Sequence, residues 1–110
     1  MTVNLNVLVP PKIVDSVTEL QFTAKYPTII DKFTVANFDV LLPSITVYLV
    51  SAGTASGNTN TIVKSRLIQP GETYSFPEII GHYLLPGDAI WTKASNNTSL
   101  SLRVSGREIS

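Results

Sequence analysis

The residues able to do chemistry are few and scattered. His82 is the only histidine among the 110 residues, so any Ser-His-Asp arrangement has to run through it. The nearest serines, Ser75 and Ser95, stand in no Gly-x-Ser-x-Gly elbow. Asp15, Asp31, Asp39 and Asp88 are isolated and lack the spacing of metal ligands. Asp15 with Glu19 is the one local acidic pair, and an exposed strand edge accounts for it. There is no cysteine, which rules out disulfides and thiolate metal sites. Gly53 to Gly57 lacks the lysine and the following helix of a phosphate loop. The expectation is a non-enzymatic protein with no catalytic residue, metal or cofactor.

Binding chemistry is better represented. Trp91, Tyr48, Tyr74 and Tyr83 could line a sugar platform, although aromatic residues in strands more often serve packing. Trp91 alternates with Lys93, which puts it on the less apolar face of its strand and makes it a plausible interface anchor. Asn96-Asn97-Thr98-Ser99 holds two overlapping glycosylation sequons and reads more simply as a turn. Net charge is zero and charged residues make up 15% of the chain, so the footprint of a nucleic-acid binder is missing. The polar surface is built from Ser, Thr and Asn, which desolvate more cheaply than charges. That suits a large contact surface, and it equally suits an ordinary hydroxyl-rich β-protein.

The elements that must carry these residues are strands. Thr2 to Val9 alternates, with Val3, Leu5, Val7 and Val9 on one side, and Pro10-Pro11 is expected to stop it. Residues 1–11 are thus either an edge strand of the chain's own sheet or an arm that adds to a partner. Val17 to Tyr26 and Lys32 to Phe38 alternate too, and Asp39 to Pro43 reads as an interruption. Ser44 to Val50 is almost wholly β-branched or aromatic and is expected centrally in a sheet. Ser51 to Thr61 holds no large apolar residue, so a long, mobile hairpin loop is expected before the return strand Ile62 to Ile68. A short strand, Thr73 to Phe76, follows the Pro70-Gly71-Glu72 turn. Glu78 to Leu85 has the spacing of one helical turn. Ala89 to Ala94 and Ser99 to Val104 close the chain as a hairpin. In the latter, Leu100, Leu102 and Val104 alternate with Ser101 and Arg103.

About eight short strands, with turn signals every ten residues or so, predict an all-β fold. The expected form is an antiparallel β-sandwich, jelly-roll-like, in a single domain spanning residues 1–110. A closed barrel is the alternative. Met1 to Leu8 carries no basic segment before an apolar run, and no apolar run approaches ~20 residues. A soluble chain, not exported by a cleaved signal, is the expectation.

The second half contains Leu-Leu-Pro-Ser-Ile-Thr-Val-Tyr-Leu-Val and then the Ser/Gly/Asn loop. After these come Ile-Gln-Pro-Gly-Glu-Thr-Tyr, Leu-Leu-Pro-Gly-Asp-Ala-Ile and Asn-Thr-Ser-Leu-Ser-Leu-Arg-Val-Ser-Gly-Arg-Glu. Over Phe22 to Ser110 this resembles the small β-sandwich virion proteins of tailed bacteriophages. The likeness is strongest to the capsid decoration proteins (cement or staple proteins) of short-tailed phages. The resemblance implies a structural protein on the outer capsid surface of the virion, made in the host cytoplasm. It would bind the major capsid protein, staple neighbouring subunits and self-associate as a homo-oligomer, with a dimer favoured. It implies no nucleic-acid or membrane partner. The expected contact residues are Val3, Leu5 and Val7 on the arm, Asn58 and Asn60 in the loop, and Trp91. The alternative expectation is a carbohydrate- or receptor-binding module associated with a phage tail or fibre.

Overall fold

The computed structural model describes all residues from Met1 to Ser110. Nine strands form: β1 (Val3–Ile13), β2 (Glu19–Thr23), β3 (Thr28–Asn37), β4 (Ser44–Val50), β5 (Thr61–Leu67), β6 (Thr73–Ser75), β7 (Tyr83–Leu84), β8 (Ala89–Ala94) and β9 (Leu100–Ile109). They make two antiparallel sheets. The first has the order β1-β9-β3-β6, with β7 also on β3; the second runs β2-β8-β4-β5. Apart from the β4–β5 hairpin and the shared β6/β7 position, the chain changes sheet at each step. This interleaved order is that of a jelly roll.

The core is built where the alternating faces meet. Ile30, Phe33, Val35, Leu100, Leu102 and Val104 of the first sheet pack on Ile45, Val47, Ile90 and Ala94 of the second, all of them buried. Each large apolar side chain buried in this way contributes about 1.5–3 kcal/mol. Phe76 meets both Phe33 and Tyr74 edge-on, at 5.3 and 4.7 Å between ring centroids. The two open edges of the sandwich are closed differently. Lys12 on β1 pairs with Glu19 on β2 at 3.3 Å. At the other edge the Arg66 guanidinium of β5 stacks 3.9 Å from the ring centre of Tyr74 on β6.

Three expectations are corrected. Pro10-Pro11 does not stop the first strand, because β1 continues to Ile13 along β9 as the edge of its sheet. An edge strand tolerates residues without an N–H, and the register shift between Val9 and Lys12 takes up the two prolines. The shift between Val7 and Val9 also reverses the face: Val3, Leu5 and Val7 are exposed, whereas Leu8 and Val9 are buried. Finally, β8 and β9 are no hairpin. The segment between them crosses from the second sheet to the first, held where Ser95 donates its N–H to Ser44 O and Val14 donates to Leu100 O.

The reading of β4 holds: it lies inside its sheet, between β8 and β5. The expected helical turn over Glu78 to Leu85 is replaced by a hydrogen-bonded turn, in which the Ile79 and Ile80 N–H groups both donate to Phe76 O, followed by the two-residue strand β7.

Candidate functional site

The loop Ser51 to Thr61 is tied down, contrary to the expectation of a mobile one, and its anchors are polar. Asn60 is buried; its amide donates to Thr54 Oγ1 (3.1 Å) and Ala55 O (2.7 Å), and its carbonyl oxygen accepts from Ser51 N–H (3.4 Å). Its contact chemistry is thus spent inside the loop, while Asn58, at the start of a single 3-10 turn, remains exposed. The second anchor is Asp88, which accepts from Ala52 N–H at 2.9 Å and from Leu85 N–H at 3.0 Å. Asp88 and His82 line one small cavity of about 190 Å³, and no hydrogen bond joins the two side chains.

The two Pro-Gly-acid turns share one design. Gly71 and Gly87 adopt φ of 78° and 95°, the left-handed region that the third position of a type II turn requires. Glu72 and Asp88 close these turns by accepting the N–H of Gln69 and Leu85, three residues back. Of the eight carboxylates, only Glu78 makes no such bond or ion pair. Asp15, Glu19, Asp31, Asp39 and Glu108 all accept a hydrogen bond or pair with a cation, as do Glu72 and Asp88. No group of three or more His, Asp or Glu side chains is placed to hold a metal.

Val3, Leu5 and Val7 form an uncovered apolar stripe, with Leu5 79% exposed. Across the strand pair they face Ile109, Arg107 and Ser105. The Arg107 guanidinium pairs with Asp31 at 3.0 Å, so the charges beside the stripe neutralise each other. The opposite face there is polar, where the Asn6 amide donates to Glu108.

A second apolar surface was not expected. The connection from β3 to β4 reads Phe38-Asp39-Val40-Leu41-Leu42-Pro43, and Phe38, Val40, Leu41 and Leu42 are all exposed, Val40 at 86%. This tip is held from below by Asn37. The buried Asn37 amide donates to Leu41 O and Ile68 O, both at 2.9 Å, and its oxygen accepts from Asp39 N–H at 2.9 Å. Asp39 in turn accepts from Val40 N–H (2.7 Å) and from the Ser99 hydroxyl (2.9 Å). A run of apolar residues inside a turn was the sequence signal. It reads as an interruption because it follows neither strand nor helix periodicity.

Trp91 lies elsewhere, on the outer face of the second sheet. Its register partners are Tyr48 on β4 and Leu20 on β2, while its chain neighbours Ile90 and Thr92 are buried. The expected contact residues are therefore not gathered at one place. Val3, Leu5 and Val7 belong to the first sheet, Trp91 to the second, and Asn58 to a loop at the end of the sandwich. No family model matches the chain, and no match is found among curated proteins or among solved structures.

Proposed function

We propose that the protein is a structural, non-enzymatic virion component. It binds the outer capsid surface and holds neighbouring major capsid subunits together, with copies of itself as further partners. One observation carries this reading: one β-sandwich presents two separate uncovered apolar surfaces. They are the stripe Val3, Leu5, Val7 on β1 and the tip Phe38 to Leu42. β3 joins them, since Ile29 and Leu5 share Arg107 as register partner and Asn37 precedes the tip. From Ile29 to Asn37 the strand covers roughly 25 Å at ~3.3 Å per residue. A molecule that bridges needs two such surfaces, and exposed apolar patches mark contact sites. The polar support under the tip lowers the ordering cost of docking. Many copies, each holding several subunits, would add weak contacts together.

The test uses phage particles formed with and without the protein. Particles that carry it should withstand more heat than those that lack it. Val40→Asp/Leu41→Asp should stay folded yet fail to co-sediment with particles. Equal heat stability of particles with and without the protein would sink this reading.

A further inference from the structure

The outer face of the second sheet carries a polar cleft of about 300 Å³, lined by residues of β4, β5 and β8 and by Ser95. A β-bulge shapes it. Between the pairs Ile45–Arg66 and Val47–Val63, two residues, Lys64 and Ser65, stand opposite the single Thr46. Ser65 takes a left-handed conformation (φ 49°), sparsely populated for a non-glycine residue, and its N–H donates to Thr46 Oγ1 at 3.0 Å. Lys93 is the register partner of Thr46 on the other side, so the cleft has one lysine on each flank.

The hydrogen-bond directions give the cleft its character. The Thr46 hydroxyl oxygen already accepts from Ser65 N–H, and the Ser95 hydroxyl oxygen accepts from Ser44 N–H at 2.8 Å. Each hydroxyl proton is then free to donate outward. Lys64 and Lys93 form no ion pair, the two pairs of the molecule being Lys12–Glu19 and Arg107–Asp31. No carboxylate lines the cleft. It therefore combines hydroxyl donors and two unpaired positive charges with no carboxylate among its lining residues. Tyr48 forms part of the wall, and Trp91, its cross-strand neighbour, continues the aromatic surface on the same face.

We infer that this cleft binds an acidic sugar, with its carboxylate between Lys64 and Lys93 and its ring against Tyr48 beside Trp91. Ammonium and hydroxyl donors suit a carboxylate, and an aromatic surface suits the apolar face of a sugar ring. The volume lies at the small end of ligand sites, which fits one ring better than a long chain. The assignment is independent of the capsid reading, because neither the β1 stripe nor the Phe38–Leu42 tip contributes to the cleft.

The experiment titrates the intact protein with hexuronate oligosaccharides, the matching neutral hexose oligosaccharides and inorganic phosphate. Binding is followed by calorimetry and by the fluorescence of the single tryptophan. The hexuronate should bind at least about tenfold more tightly than the neutral sugar, a difference of ~1.4 kcal/mol, and its binding should weaken with added salt. Lys64→Gln and Lys93→Gln, both at exposed positions, should each reduce affinity without altering the thermal transition. Trp91→Phe should weaken the hexuronate and leave phosphate binding unchanged. Equal binding of neutral and acidic sugars would overturn the inference. So would phosphate binding as tightly as hexuronate, full affinity in the double lysine variant, or no binding of any hexuronate.

Discussion

Asn37 shows how a single polar side chain can expose apolar ones. Its amide pairs one carbonyl (Leu41 O) and one N–H (Asp39) of the turn from β3 to β4, and ties that turn to Ile68 O just after β5. Phe38, Val40, Leu41 and Leu42 need not fold inward to stabilise their own backbone. In Asn37→Ala those groups lose their partners, and stability should fall by about 1–3 kcal/mol. Urea denaturation would measure the loss. Amide exchange at Asp39 to Leu42 should accelerate by more than the global change, since the support is local. Asn60 plays the matching part in the loop after β4. Two buried asparagines thus do what apolar anchors do in most loops, and neither is recognisable in the sequence, where Asn in a turn looks ordinary.

At the level of elements, alternation was legible and pairing was not. Ser44–Val50 and Ala89–Ala94 are strands with the expected limits, and the inner face Leu100, Leu102, Val104 is buried as its period requires. Alternation states that a strand has two faces; it does not state which sheet receives it. For that reason β8 and β9 read as a hairpin although they lie in different sheets. A bulge inverts every later face while leaving composition untouched, so Val3, Leu5 and Val7 stand outside and Val9 inside. The Trp91 face was legible from its alternation with Lys93, whereas its partner Tyr48 and the cleft beside them depend on register. The loop between β4 and β5 yields a prediction at this scale. Asp88→Ala removes the acceptor of Ala52 N–H and Leu85 N–H. Limited proteolysis should then cut between Gly53 and Gly57 at least several times faster, with a global loss of about 1–3 kcal/mol.

Across the whole molecule, neutrality conceals an asymmetry. Nearly every carboxylate is engaged in a turn, a loop anchor or an ion pair, whereas Lys32, Lys64, Lys93 and Arg103 form none of the ion pairs. A chain of zero formal charge therefore offers its unpaired cations on the outer faces of both sheets and spends its anions internally. The body measures 45 × 27 × 20 Å. The two chain ends meet at one end of the first sheet, where Thr2 N–H donates to Ser110 O and Ser110 N–H donates to Thr2 O. The Phe38–Leu42 tip is at the other end, beyond Asn37. A permuted chain, with Ser110 joined to Met1 by a short Gly/Ser linker and opened between Gly57 and Asn58, should fold to the same sheets. Its circular dichroism should match that of the parent, with a modest fall in melting temperature. The same adjacency makes the molecule a one-sided display platform: cargo fused to either terminus leaves from the same pole, away from the apolar tip.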